Sequence, residues 1–380
     1  MGKLKITVLS LSVLTVMSGA VVAPALGAIA AHFQDVSPTL IKLIITIPSL
    51  FIILTSFLFQ QMIKRMRSKT ITIIGLVLYV IGGCGGAMAD TIYMILFSRM
   101  LLGIGVGLIM PLSTGLISLL FDQGEQSKLM GYSSAMNNVG GIIATILSGL
   151  LVSVSWRLGF LVYLLGLVVM LLAVLFLPNV QLSRSNPGID RKSLGKIWPY
   201  AVSLFAVMLL FYTVPSNLSI IITREALVPT AYIGIVMSAQ NTIAFITGMV
   251  LSRLIRRLGP RIKYAAAIFF GAGLVCLSLP ANLLTVLIGL LALGVGLGSL
   301  VPVLNTQISL HIERERVASA MAIMGASLFL GQFLSPIVFD GLTRLLHIQD
   351  VRAPFYLAAA SSLLLLIAIH WVPVTFPSEE

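Results

Sequence analysis

The sequence predicts an all-α membrane protein of twelve transmembrane helices in two pseudo-symmetric six-helix bundles. Three observations carry this: an apolar composition, apolar runs of membrane-crossing length, and a repeat relating the two halves. Of 380 residues, 58% are apolar and only 9% charged, with mean hydropathy +1.07. Soluble domains carry about 25% charged residues, so a chain this poor in charge cannot cover a water-facing globule. Two cysteines exclude a disulfide scaffold and a cysteine-based metal cluster. No metal site is expected, and no long polar segment offers a separate catalytic domain.

The apolar runs lie at 5–31, 40–63, 70–89, 92–121, 129–154, 158–178, 198–222, 231–252, 263–282, 284–310, 317–342 and 353–374. Each is about the 20 residues that cross the hydrocarbon core. The first follows Lys3 and Lys5, as a signal peptide would. Its length and the eleven runs after it read as an uncleaved first helix. The longest polar connection, Pro178 to Lys196, divides the chain into 1–178, a linker 179–197, and 198–380. Basic residues crowd alternate connections. Lys64, Arg65, Arg67 and Lys69 follow the second run, and Arg253, Arg256, Arg257, Arg261 and Lys263 follow the eighth. The opposite side holds Lys42, Arg157, Arg224, Arg344 and Arg352. This bias places both termini in the cytoplasm of a multi-pass plasma-membrane protein. The net charge of +12 therefore reports topology and contact with the lipid bilayer, not a nucleic-acid partner.

The repeat is read from the fourth and tenth runs. Gly103, Gly105, Gly107 and Pro111 recur as Gly294, Gly296, Gly298 and Pro302, each 191 residues later. The same offset carries Gly140 onto Gly331 and Asp122 onto Glu313. An offset of 192 carries Arg65 onto Arg257, Lys69 onto Arg261 and Cys84 onto Cys276. Small residues let helices approach closely, and the prolines permit bends. Two such bundles can rock around a shared midplane site.

Four passages resemble the major facilitator superfamily, specifically the bacterial twelve-span drug:H+ antiporter type, and the likeness covers essentially the whole chain. Gln60 to Lys69 sits where the family has Gly-x-x-x-Asp-Arg-x-Gly-Arg-Lys. Only Arg65 and Lys69 match, with Lys64 in place of the aspartate. Its repeat keeps Arg257, Gly259 and Arg261. Arg99-Met-Leu-Leu-Gly103-Ile-Gly105 is similar to the family's Arg-x-x-x-Gly-x-Gly element. Gly131, Gly140 and Gly149 follow the antiporter motif of the fifth span, whose Gly-Pro is here Ala144-Thr145. Arg157-x-x-Phe160 and Arg352-x-x-Phe355 open the sixth and twelfth spans as in the family. The resemblance implies a role in proton coupling for Arg99, no cofactor, and a proton gradient as energy source.

Arg99 lies deep in the fourth run. A guanidinium there costs about 2.5–3.5 kcal/mol on insertion scales, so it must meet a polar cavity or acceptors. None of the twelve acids lies near the middle of a run. Asp340 comes closest, and Asp35, Glu225 and Asp340 are the candidates for an outward vestibule; Asp35 and Asp340 join Arg99 as coupling candidates. Cargo contacts are expected from Ser18, Asn137, Asn138, Tyr212, Ser216, Asn217, Gln240, Asn241, Asn305, Gln307 and Gln332, polar groups that need partners inside a bilayer. Such a pocket suits a neutral, amphipathic or anionic small molecule. A charge latch is expected on the cytoplasmic side: Lys64 and Arg65 toward Asp122 and Glu125, and Arg256 and Arg257 toward Glu313 and Glu315. No phosphate loop is present, so ATP does not drive the protein directly. No filter loop marks a channel, and the scattered histidines offer no enzyme site. The expected function is a monomeric secondary transporter working by alternating access, exporting a small organic molecule in exchange for protons. An uptake permease or uniporter, and a sensor with a transporter fold, remain open alternatives.

Overall fold

The structure, a computed structural model, describes residues 2–181, 191–279, 282–313 and 316–375. Its elements are helical throughout the described residues, with no strand. In chain order the helices are α1 (Gly2–Ala20), α2 (Leu26–His32), α3 (Pro38–Arg65), α4 (Ser68–Cys84), α5 (Ile92–Leu120), α6 (Gln123–Val152), α7 (Trp156–Gly159), α8 (Leu165–Phe176), α9 (Arg191–Phe211), α10 (Thr213–Arg224), α11 (Thr230–Leu258), α12 (Ile262–Ser278), α13 (Leu283–His311), α14 (Val317–Leu345) and α15 (Ala353–His370). Among the described residues, 11 stretches are long and apolar enough to cross a membrane. One of these, Thr230–Ser278, is 49 residues long. It is two helices, because Gly259 adopts φ +53 and Pro260 follows it; α11 ends there, and a short 3-10 turn leads into α12. Glycine is the residue that enters this left-handed region without steric cost.

Three expected unbroken helices are broken. The first run divides at a 3-10 turn over Ala23–Ala25, where Pro24 has no N–H to continue the ladder. The sixth divides at a 3-10 turn over Phe160–Leu164 between α7 and α8. The seventh divides at Tyr212, and Pro215 then sits in the first turn of α10, where its missing donor is harmless. Pro111 and Pro302, in contrast, lie inside α5 and α13, which run through them.

The chain packs as two compact units, Met1–Arg184 with Ile222–Ser238, and Ser185–Ile221 with Ala239–Glu380. In the first unit, α5 lies along both α3 and α4, and α1 along α6. In the second, α12 lies along α13 and α15, and α14 along α9. The assignment of 222–238 to the first unit has a visible cause. Gly149 of α6 and Gly234 of α11 meet backbone to backbone, a Cβ on Gly149 falling 2.7 Å from the Gly234 Cα. No side-chain property announces that crossing.

Each unit repeats one contact plan. A Cβ on Gly103 would fall 2.7 Å from the Pro48 carbonyl, and one on Gly294 2.7 Å from the Gln240 carbonyl. Gly105 packs on Gly75 and Tyr79, Gly296 on Phe270. Gly107 packs on Ile52 and Thr55, Gly298 on Ala244. A Cβ on Gly140 would fall 2.6 Å from the Val13 carbonyl, and one on Gly331 2.5 Å from the Phe205 carbonyl. Both members of each pair are displaced by 191 or 192 residues, so the repeat seen in the sequence is a repeat of helix contacts. Gly131 is an exception to its motif: a Cβ there meets nothing within 4 Å, so it seals no helix contact in this structure.

Overpacking follows directly. Gly105→Ala would set its Cβ 2.6 Å from the backbone of Gly75 and Tyr79, and Gly296→Ala 2.7 Å from the Phe270 backbone. Backbone cannot swing aside as a side chain does, so each is expected to destabilise its unit by about 1–3 kcal/mol. Thermal unfolding of the purified chain measures this, and a neutral effect at either site would count against the equivalence.

Candidate functional site

Arg99 reaches its place because α5 is largely apolar and is glycine-rich where it meets α3 and α4. The two helices come close enough to enclose the side chain completely, at 0% exposure. Every terminal donor group then finds an acceptor. Nε donates to the Ile44 carbonyl of α3 at 3.0 Å, Nη1 to the Tyr163 hydroxyl at 2.7 Å, and Nη2 to the Ser18 carbonyl of α1. Tyr163 in turn donates to the same Ser18 carbonyl at 2.7 Å. The guanidinium also lies over the Tyr163 ring, 5.3 Å from its centroid. Among the described residues, no carboxylate takes part. Of the two alternatives the sequence left for Arg99, the structure shows acceptors.

Tyr163 was invisible in the sequence, since an isolated tyrosine in an apolar run carries no signal. The repeat supplies one after the fact. Carried onto the second unit, Arg99 falls on Leu290 and Tyr79 on Phe270 at offset 191. The Arg157–Arg352 correspondence carries Tyr163 onto Ala358. All three replacements are apolar and buried. One unit folds with an oily core at this level, while the other holds a cation and two phenols there. Folding alone does not require the polar set.

The coupling candidates separate sharply. Asp35 is exposed, whereas Asp340 on α14 is only 7% exposed, the one buried carboxylate among the described residues. Lys42 on α3, read from the sequence as a basic residue at an outer end, is buried too, and both it and Asp340 are engaged.

The expected cargo contacts fall into three groups. Some are already bonded: Asn137 accepts from Thr15 of α1 at 2.9 Å and so ties two helices, while Asn138 and Asn217 donate to carbonyls one turn back in their own helices. Ser18 contributes its carbonyl to Arg99, while its hydroxyl bonds Thr15. Gln332 approaches the Met208 sulfur at 3.9 Å, and Tyr212 is also partnered. Gln307 forms the second group. Its amide meets the main chain of Thr375, donating to the carbonyl at 3.0 Å and accepting from the N–H at 2.9 Å, so it anchors the C-terminal segment. In the third group, the Ser216 hydroxyl and the Gln240 amide nitrogen are buried without a hydrogen-bond partner. Asn241 and Asn305 are half-buried.

The charged loops pair differently from the latch expected of them. Glu125 pairs with Lys5 of α1 at 2.7 Å, and Glu313 with Arg316, three residues along, at 3.4 Å. Lys64, Arg65, Arg256, Arg257, Arg261 and Asp122 are exposed, and Lys69 is half-buried. Glu315 lies outside the described residues. Sequence neighbours and the N-terminal turn reach these acids more readily than basic residues on separate loops do. Exposed pairs of this kind contribute about 0–1 kcal/mol each. Reversing both charges, Lys5→Glu with Glu125→Lys, is expected to restore whatever stability either single change loses, read as a double-mutant cycle in thermal unfolding.

A helical membrane protein built twice from one contact plan, with Arg99 enclosed in the first copy where the second carries Leu290, has the build of a secondary carrier. The profile of the Major Facilitator Superfamily matches residues 8–199 and 200–380. The chain belongs to that superfamily and is a transporter by family and fold. Among curated relatives, the quinolone resistance protein NorA of Staphylococcus aureus (strain MRSA252) is 23% identical over 326 residues, covering 79% of this chain and 78% of NorA. The riboflavin transporter RibZ of Clostridioides difficile (strain 630) is 22% identical over 179 residues. That match covers 47% of this chain and 39% of RibZ, well under half the relative's length. Among solved structures, a mutant of the nucleoside transporter NupG superposes with TM-score 0.78 at 13% identity, covering 97% of this chain and 99% of NupG. A D-xylose-proton symporter superposes with TM-score 0.76 at 16% identity, covering 98% of each chain. These structural likenesses speak to the fold.

Proposed function

We propose that the protein exports a small organic molecule across the membrane in exchange for protons, with twelve crossings once α11 and α12 are counted apart. The observation that carries this is the burial of Asp340 on a membrane helix, the single carboxylate so enclosed among the described residues. A buried carboxylate is held there only while partnered or protonated, and Asp340 is engaged by a partner in this state. Arg99, enclosed by neutral acceptors, supplies a fixed positive field within the first unit. Ser216 and Gln240 keep bonding capacity for cargo, and the similarity to NorA over most of both chains favours export of a drug-like compound.

The test is reconstitution of the full chain into vesicles with an imposed pH gradient, using a quinolone and riboflavin as trial cargo. Accumulation driven by the gradient supports exchange. Equilibration without accumulation identifies a uniporter, and absence of flux for both compounds removes this reading of the cargo.

A further inference from the structure

We infer that Tyr79 is a positioning residue for Arg99, holding the hydrogen bond that the Arg99–Tyr163 pair takes up when it lets go of the Ser18 carbonyl. Three observations lead there. The Tyr79 hydroxyl is fully buried and has no hydrogen-bond partner. Its ring meets the Tyr163 ring edge-on, with centroids 5.6 Å apart and planes at 75°, so its hydroxyl-bearing ring adjoins the phenol that Arg99 contacts. Finally, the equivalent residue of the second unit is Phe270, packed against Gly296 as Tyr79 is packed against Gly105. Packing at this position needs the ring and not the oxygen.

The elements that carry these groups differ in freedom. Tyr79 and Arg99 ride on α4 and α5, locked together where Gly82 and Gly105 bring backbone against backbone. A Cβ on Gly166 would fall 2.9 Å from the Tyr79 ring, which fixes that ring from the other side. Ser18, in contrast, stands near the end of α1, just before the chain breaks into a 3-10 turn at Pro24. A shift of α1 removes the Ser18 carbonyl from both Arg99 and Tyr163 at once and leaves α4 and α5 in place. Tyr79 then offers an oxygen to accept from either donor. A buried hydroxyl that is unpaired in one state and paired in the next weights the equilibrium toward the second. The present state bears the cost.

The inference rests on Arg99 serving the transport cycle, and its test reads the protein in two independent ways. In Tyr79→Phe the cost borne by the present state is gone, so α1 leaves Arg99 less often. Hydrogen exchange of the peptide spanning residues 13–24, measured by mass spectrometry on the purified full chain, is expected to slow by about tenfold. In vesicles, turnover falls by a similar factor with KM unchanged. Exchange at the wild-type rate overturns the proposal, and so does a Y79F chain that fails to fold, since Phe270 shows that phenylalanine fills this place. Wild-type vesicles that move no trial cargo would instead sink the transport reading and leave the exchange result standing.

Discussion

Arg99→Leu is expected to cut gradient-driven accumulation by about a hundredfold while the chain stays folded. Arg99 makes three hydrogen bonds through a charged group, to the Ile44 carbonyl, the Tyr163 hydroxyl and the Ser18 carbonyl. Bonds of this kind contribute about 1.5–3 kcal/mol each, and about 1.4 kcal/mol is a factor of ten. Losing even the two that tie α5 to α1 and to Tyr163 accounts for two decades in any step that depends on their geometry. Removal of a buried cation with neutral partners leaves no opposite charge stranded. The Ser18 carbonyl also keeps its bond from Tyr163. Leucine is moreover what the second unit carries at this position, as Leu290, 1% exposed. Thermal unfolding and vesicle uptake, measured on the same preparation, separate the outcomes. A folded R99L that still accumulates cargo would reduce Arg99 to a structural tie, and an unfolded one would show that the first unit, unlike the second, cannot do without it.

Asp340→Asn is expected to abolish the dependence of transport on the pH gradient while leaving cargo counterflow intact. Asparagine has nearly the size and the acceptor oxygen of aspartate but takes up no proton. If Asp340 carries the exchanged proton, wild-type accumulation rises with the gradient and the variant equilibrates cargo at every pH, a loss of about a hundredfold in accumulation at about two pH units. The sign follows from the chemistry: a carboxylate loads on the more acidic side and unloads on the more alkaline side, and the neutral amide does neither. Gradient-dependent accumulation retained by D340N would move the coupling elsewhere, with Glu225 the next acid to test.

Several features were legible before any coordinates. Composition gave the solvent, because a chain with so few charges has nothing to present to water. The spacing of Gly103, Gly105 and Gly107 against Gly294, Gly296 and Gly298 gave the repeat, because a glycine at a backbone crossing admits no other side chain and so leaves a mark at both copies. Arg99 stood out for its cost. The interruptions were harder. Pro24 breaks a helix, whereas Pro111 and Pro302 are accommodated, and which occurs depends on the neighbours that hold the helix together.

The partners of Arg99 were out of reach of sequence reasoning for a different reason. Two of the three are carbonyl oxygens, which every residue has, so Ile44 and Ser18 carry no mark of their role. Gln307 shows the converse case. An amide in an apolar run looks like a cargo contact, and nothing in the run shows that it also ties down the backbone of Thr375, 68 residues away. Likewise Glu125 chose Lys5 over the basic loop beside the second span. The amino-acid sequence by itself determined the medium and the doubled plan, since these follow from where apolar and small residues fall along the chain. Only the tertiary structure decided which polar groups are satisfied, which are orphaned and which acid is buried, because a hydrogen bond is a matter of angstroms between residues the chain holds far apart.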